Sequence, residues 1–469
     1  MENSLIKKGT EVNLTIESLA YGGKGVARID NFVVFVKNAI PGQIIRALIY
    51  KKHKGFAEAR PLEILTESAN AVTPKCQHFA YCGGCTLQQF DYSKQVQQKA
   101  RQVVDIFKRQ LGLTDFKINE IVPADPIFHY RNKMEFTVSN RRWILPDESE
   151  DSSRDFALGL HIPGRFDKIL DIKECLLHPA MGNDILNTVR DLALEYKLKP
   201  YDQKTHIGFL RHLVMRFGSM TSQVMVNLVT SFENPDLLEP LVSGLLERFP
   251  NINSIINTIN TKKADTVYGD YEILLHGSGS IIDRIKPLEF EISSNSFFQT
   301  NTYQASQLYE KVINAAALKG DEIVYDLYCG TGTISLFLAS KAKVVHGFEM
   351  ISTAVEDAMR NAISNGIGNC YFHKSNLDTF FKHSRNNLNI DDPDVIVIDP
   401  PRQGMHKDMT EIISKWSAKR IIYVSCNPTT QARDIDILLQ AGYQLGSVDM
   451  VDMFPHTPHI ETVAMLERK

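Results

Sequence analysis

Ser425-Cys426-Asn427-Pro428 follows directly on the apolar run Arg420-Ile421-Ile422-Tyr423-Val424. That order places one thiol at the carboxyl end of what reads as a buried parallel strand. Ligands and reacting groups collect at that edge of open α/β sheets. An inert thiol would pack there as a small hydrophobe. A reactive one would be a nucleophile, and covalent catalysis of that kind needs a base partner. Glu461, in Phe454-Pro455-His456-Thr457-Pro458-His459-Ile460-Glu461, is the candidate base. Its bland alternative is a surface glutamate at a strand start. His456 and His459 form H-x-x-H without further ligands, which is not a zinc pattern, so loop hydrogen bonding is expected of them.

A nucleoside cradle lies upstream. Asp326-Leu327-Tyr328-Cys329-Gly330-Thr331-Gly332-Thr333 reads as a strand entering a glycine loop, whose backbone can approach a ligand closely. The loop is G-x-G rather than the full G-x-G-x-x-G. Glu349 ends the next strand, where an acidic residue typically binds ribose hydroxyls. Without a third glycine or nearby basic residues, the loop suits a nucleoside lacking a diphosphate. S-adenosylmethionine fits that description better than NAD.

Asp399-Pro400-Pro401-Arg402 ends a fourth strand. Arg402 stands where methyltransferases of exocyclic amines often carry an aromatic residue. No cysteine occupies this loop, as one would in enzymes that methylate cytosine carbon 5. A cysteine only after the fifth strand favours uracil. A thiolate adding to carbon 6 of uracil makes an enolate whose carbon 5 can take a methyl group. A base must then remove the carbon 5 proton so that the thiolate can leave.

A third constellation is Cys76-x5-Cys82-x2-Cys85, which distant Cys175 could complete. Four thiolates can hold zinc or an iron–sulfur cluster. Spacing alone leaves iron–sulfur, zinc and free redox-active thiols open. The full count of seven cysteines is odd for a large chain and argues against a disulfide framework.

The elements that must position these groups follow from periodicity. Residues 291–469 alternate strand-like runs (322–328, 343–349, 370–374, 394–399, 420–425, 443–450 and 461–467) with helix-like stretches between the first six. Such alternation predicts a Rossmann-like doubly wound sheet of seven strands. The last two runs are joined only by a loop, so the seventh strand should enter antiparallel. Residues 1–67 carry short β-type runs split by Tyr21-Gly22-Gly23-Lys24-Gly25 and Pro41-Gly42, which suits an OB-like β-barrel. Residues 68–290 read as a central α+β domain with the cysteine set, a helix near 92–110 and an exposed insertion at Asp147 to Ser153.

At 469 residues, two to four domains are expected. The start of the chain lacks a signal-peptide core and no run approaches a membrane span, so a cytoplasmic protein without membrane contact is expected. The net charge of −3 is unevenly distributed: residues 1–67 hold ten Lys and Arg against seven Asp and Glu, and residues 291–469 hold 16 against 21. Attraction for phosphates should therefore concentrate near the N-terminus.

Together these motifs resemble the RNA uracil-5-methyltransferase family, in its larger form with an N-terminal TRAM domain and an iron–sulfur cluster. Tyr21-Gly22-Gly23-Lys24-Gly25-Val26-Ala27 is similar to the TRAM glycine turn. Asn295-Ser296-Phe297-Phe298-Gln299-Thr300-Asn301 is similar to the family's F-F-Q-x-N segment. The resemblance implies a 4Fe-4S cluster on Cys76, Cys82, Cys85 and Cys175. It implies an S-adenosylmethionine pocket of Gln299, Tyr328, Thr333, Glu349, Asn376 and Asp399, with Cys426 as nucleophile and Glu461 as base. Tyr328 and Thr333 match loosely. The larger members mostly modify 23S ribosomal RNA, so 23S rRNA is the expected partner, tRNA the alternative, and a monomer the expected state. His129 to Lys133 and Arg211-His212-Leu213 would be basic and aromatic patches facing RNA. Two other readings are a cytosine or small-molecule methyltransferase, and a non-catalytic RNA-binding protein that would not need Cys426 and Glu461 together.

Overall fold

The computed structural model describes residues 6–113, 116–149, 151–377, 390–416 and 418–469. The seven C-terminal runs form the strands Ile323–Leu327, Val344–Glu349, Cys370–Lys374, Val395–Ile398, Arg420–Ser425, Tyr443–Val451 and Glu461–Arg468. Successive side chains on a strand face opposite sides of a sheet, and here both sides are covered. Val395 and Val397 enter one apolar core with Val324, Val345 and Val463. Ile396 and Ile398 enter another with Tyr325, Phe348, Ile421 and Tyr423. Burial on both faces explains why these strands read as unbroken apolar runs. Glu461–Arg468 is antiparallel to both of its neighbours, while the other pairs run parallel.

Among the described residues the sheet has eight strands, not the expected seven. Lys117–Val122 pairs in parallel with Tyr443–Val451 and forms the outer edge. Tyr443–Val451 would otherwise leave its backbone donors and acceptors unpaired. The preceding helix, Tyr92–Leu111, belongs to the same body: Val103 and Phe107 lie in the second core. The Asp91 carboxylate accepts from the Lys94 N–H to start that helix, and Gly112, at φ +64°, ends it in the left-handed conformation.

The N-terminal segment forms one six-stranded sheet over a small core that includes Leu14, Val34, Ile45 and Ala57. Ser18–Leu19 and Gly25–Ile29 flank its glycine turn. The central segment forms an eight-stranded sheet, with Ala180–Glu195 and Pro235–Arg248 packed on it through a shared core. No described helix is long and apolar enough to cross a membrane.

Candidate active site

Strand order in the C-terminal sheet reverses between Ile323–Leu327 and Val395–Ile398. A crevice at the carboxyl ends of strands is forced at such a point. Here it opens into a cavity of about 1780 Å³, beyond the roughly 300–1,000 Å³ of a single small-ligand site. Gln299, Tyr328, Thr333, Glu349, Asn376, Asp399, Cys426 and Glu461 all line it. Every cofactor and catalytic residue expected from the sequence thus faces one space.

The glycine loop is held tightly. Tyr328 and Gly330 take φ values of +65° and +54°. The Gly330 N–H donates to one Glu349 carboxylate oxygen at 3.1 Å, and the Met350 and Ile351 N–H groups donate to the other at 2.7 and 2.9 Å. A Cβ on Gly332 would stand 2.7 Å from the Phe372 ring, so only glycine lets the loop pack this closely.

Cys426 sits just past Arg420–Ser425, and Glu461 opens the antiparallel strand beside it. The following residue, Asn427, does two things. Its carboxamide oxygen accepts from the Thr429 N–H at 3.1 Å and caps Pro428–Gln440, while its NH2 donates to the Arg402 carbonyl at 3.0 Å. The strand end, the helix start and the Asp399 loop are therefore tied together around the thiol.

Electrostatically the site is acidic. Glu461 is 5% exposed. Its burial, and then the nearby Asp399, push its pKa well above the usual carboxylate range, against the opposing pull of Arg402. Burial and then Asp326 raise Asp399 to about 7. Burial and then Glu461 push the Cys426 thiol up to about 12, again opposed by Arg402. Burial and the neighbouring carboxylates thus disfavour the charged forms of both Cys426 and Glu461, and Arg402 opposes both shifts. Sequence reasoning noted Arg402 only as a departure from another enzyme class. It placed Tyr21 only in a glycine turn, and not at the thiol, where its hydroxyl donates to the Cys426 carbonyl at 3.2 Å.

The loop leading to Glu461 is braced from the Tyr92–Leu111 helix. The Lys99 ammonium donates to Asp452 at 2.7 Å and to the Phe454 carbonyl at 3.0 Å, with both charged side chains buried. The Tyr92 hydroxyl donates to the same carboxylate at 2.9 Å. The His456 N–H donates to Gln95, and the His456 carbonyl accepts from Thr86 and Leu87. The His456 ring stacks on Phe128. Loop bonding is what the sequence led us to expect of this histidine.

One expected RNA patch is corrected. Arg211 is only 2% exposed and donates to the carbonyls of Asn260, Lys262 and Ala264, each at 2.6 Å. His212 pairs with Asp265. Their strand, Leu210–Phe217, is buried along its whole length inside the central sheet, so the charged side chains clamp a neighbouring loop instead of facing solvent. Tyr130 is likewise buried, donating to the Pro455 carbonyl. Arg131 alone of that group's cations reaches the large cavity.

Cys76, Cys82, Cys85 and Cys175 line a second cavity of about 430 Å³, which shares Gly84, Arg131, Tyr268, Ser296, Phe297 and Thr300 with the first. Burial pushes Cys82 and Cys85 up to about 12, and charge on any one thiol disfavours charge on the others. Among the described residues no three His, Cys, Asp or Glu side chains converge to hold a single metal ion. A cluster makes a different demand, since each thiolate meets its own iron at a corner of one inorganic core. Cys175 is buried and the other three thiols are partly buried, and all four line the one cavity.

Comparison with known proteins gives the same outline. Residues 280–469 match the family model described as tRNA (uracil-5-)-methyltransferase, and residues 6–62 match the TRAM domain. An RNA methyltransferase of Chlorobaculum tepidum is 39% identical, covering 98% of this chain and 97% of its own. One of Porphyromonas gingivalis is 40% identical, covering 97% and 99%. Among solved structures, the Pyrococcus abyssi tRNA (uracil-54, C5)-methyltransferase in complex with S-adenosyl-L-homocysteine superposes with a TM-score of 0.75 at 29% identity, covering 97% of this chain and 99% of its own.

Proposed function

The chain belongs to the S-adenosylmethionine-dependent RNA (uracil-5-)-methyltransferase family, and from that premise we propose that it methylates carbon 5 of a uridine through a covalent adduct between Cys426 and carbon 6. The observation that carries this reading is that Cys426 and Glu461 face the same cavity as the nucleoside cradle. S-adenosylmethionine supplies the methyl group. Gln299, Tyr328, Thr333, Glu349, Asn376 and Asp399 hold it. Cys426, once its proton is lost to solvent, adds as a thiolate to carbon 6, a charged form that Arg402 favours, and the enolate so formed takes the methyl group at carbon 5. Glu461 then accepts the carbon 5 proton, which lets the thiolate leave. The target base must leave its stack to reach a thiol this deep, as in loops with splayed bases.

Cys76, Cys82, Cys85 and Cys175 hold a 4Fe-4S cluster in this reading, with a structural or RNA-positioning role. The N-terminal TRAM domain, in an OB-like form, supplies RNA affinity from a positively charged segment in the cytoplasm. The favoured target is 23S rRNA, following the larger domain organisation. A tRNA target is the second reading, favoured by the Pyrococcus abyssi enzyme, which matches along its full length and acts on tRNA uracil 54.

Mapping 5-methyluridine in 23S rRNA and tRNA from a strain lacking the protein tests the target. Loss of a methylated position in 23S rRNA is expected, and loss confined to tRNA selects the second reading. Unchanged methylation in both sinks the functional assignment. Cys426→Ala should abolish methyl transfer and covalent capture of RNA carrying 5-fluorouridine. A Cys426→Ala protein that still turned over would refute the covalent route.

A further inference from the structure

The glycine turn of the N-terminal domain does not hang free as a tethered RNA-binding module would. Tyr21-Gly22-Gly23-Lys24 is closed by hydrogen bonds from Ala20 N–H to the Lys24 carbonyl and from Gly23 N–H to the Ala20 carbonyl. Gly22 and Gly23 take φ values of +92° and +84°, which side-chain-bearing residues rarely adopt. The base of the turn is docked on the Tyr92–Leu111 helix: the Leu19 N–H donates to Gln98 at 3.2 Å, and Gln102 donates to the Leu19 carbonyl at 2.9 Å. Leu19 itself is buried with Ile40, Leu87 and Phe90. The tip is docked on the loop that carries Glu461, for a Cβ on Gly23 would lie 3.3 Å from Pro458.

Between these two anchors the Tyr21 side chain crosses to the nucleophile, and its hydroxyl donates to the Cys426 carbonyl at 3.2 Å. The residues on either side of Cys426 are held from within the C-terminal domain: the Ser425 carbonyl by Thr462, and Asn427 through Arg402 and Thr429. The carbonyl of Cys426 itself is held from another domain. Burial, then the Cys426 thiol, raise the Tyr21 phenol to about 12, with Glu461 adding to this and Arg402 opposing. It therefore remains a protonated donor across the working pH range.

We infer that Tyr21 is a positioning residue for the reaction: by fixing the Cys426–Asn427 peptide it aims the thiol, so that the N-terminal domain completes the active site as well as binding RNA. The inference rests on the reading of Cys426 as nucleophile. A peptide plane sets the direction of the adjoining Cα–Cβ bonds, and a small misplacement of a reacting group slows a reaction out of proportion to its size. The hydroxyl bonds the backbone carbonyl of Cys426, so its effect should fall on the rate at which the thiol adds, not on the grip on RNA.

The test uses the full-length protein with RNA purified from a strain lacking it, and 5-fluorouridine-substituted 23S rRNA and tRNA transcripts for single-turnover capture. Tyr21→Phe should lower kcat and the capture rate together by about five- to tenfold, the size of one neutral hydrogen bond. KM for RNA and the melting temperature should stay at wild-type values. Tyr21→Ala should lower kcat at least as far. Wild-type kcat and capture in Tyr21→Phe would overturn the inference, as would a change confined to KM, which would make Tyr21 an RNA contact only. Cys426→Ala run alongside separates the two claims. If it is inactive while Tyr21→Phe is normal, only the positioning role fails. If it still captures RNA, the nucleophile reading fails first.

Discussion

Ser425 and Thr462 are register partners in the antiparallel pair of Arg420–Ser425 with Glu461–Arg468, and the Thr462 hydroxyl lies 3.0 Å from the Ser425 carbonyl. One residue beyond Ser425 is Cys426, and one residue before Thr462 is Glu461. A single ladder position therefore sets the distance between the proposed nucleophile and the proposed base. It also explains why the last strand must run antiparallel: a parallel partner would begin at the opposite edge of the sheet.

That pairing gives the first prediction. Thr462 is fully buried, and its hydroxyl also lies 2.6 Å from the Gln431 carboxamide oxygen. Thr462→Val keeps the shape but leaves these two acceptors one donor short, a loss of about 1–3 kcal/mol. Urea unfolding should show that loss, and covalent capture of fluorinated RNA should slow. Wild-type stability together with a wild-type capture rate would show that the ladder does not need this hydroxyl.

Asp399 raises both Glu461 and Cys426 by its charge. Both groups must lose a proton for the proposed chemistry, so activity should rise with pH. Asp399→Asn removes the repulsion from both, and the rising limb of kcat/KM should move to lower pH even though cofactor binding weakens. Stability gives an independent readout. A raised carboxyl binds more protons in the folded than in the unfolded state, so folded wild type loses stability as pH climbs from the ordinary carboxylate range toward about 7, the Asp399 value. Melting of Asp399→Asn minus wild type should therefore grow more positive across that window. A flat difference would contradict the burial of this charge.

The buried pair of Lys99 with Asp452 is the third case. Removing one partner of such a pair leaves an unpaired buried charge, at a cost of about 3–5 kcal/mol. Lys99→Met should lose that much in chemical denaturation, partly offset by the Tyr92 hydroxyl that also bonds Asp452. It should also lower kcat, because Lys99 holds the loop before Glu461 through the Phe454 carbonyl. A fully stable Lys99→Met protein would show that the fold does not need this pair.

The cysteine quartet makes a chemical prediction. Anaerobically purified protein should be brown and contain about four iron atoms per chain. Stoichiometric zinc without iron would sink the cluster. Thiolate ligation couples to folding, so Cys82→Ala should lower soluble yield.

The C-terminal sheet was legible because parallel strands buried on both faces leave long apolar runs, and Glu349, Asp399 and Cys426 sit at the ends of such runs. The eighth strand was not. Lys117-Ile118-Asn119-Glu120-Ile121-Val122 mixes charge with apolar residues because it is an edge, and nothing local says which sheet it joins. Arg211 misled for a related reason: a guanidinium that satisfies three carbonyls can be buried, and a lone sequence does not show those carbonyls. Tyr21 was read as part of a turn. Its position beside Cys426 depends on how two domains dock, which has no periodic signature.

The sharpest prediction separates the two halves of the catalytic pair. Burial and then Asp399 favour the uncharged form of Glu461, which glutamine resembles in shape, and Glu461 can act as acceptor only once it has ionised. Glu461→Gln should therefore leave thiol addition and methyl transfer intact. What it removes is the acceptor for the carbon 5 proton. Without that acceptor the thiolate cannot be expelled, so a methylated protein–RNA adduct should accumulate on natural RNA and survive a denaturing gel. Fluorine at carbon 5 imposes the same block on wild type, since it cannot leave as a cation. The Glu461→Gln adduct on natural RNA should match the wild-type adduct on fluorinated RNA, and Cys426→Ala should give neither. Normal turnover of Glu461→Gln with no adduct would leave Cys426 as nucleophile and move the base to another group, such as Asp399, which lines the same cavity.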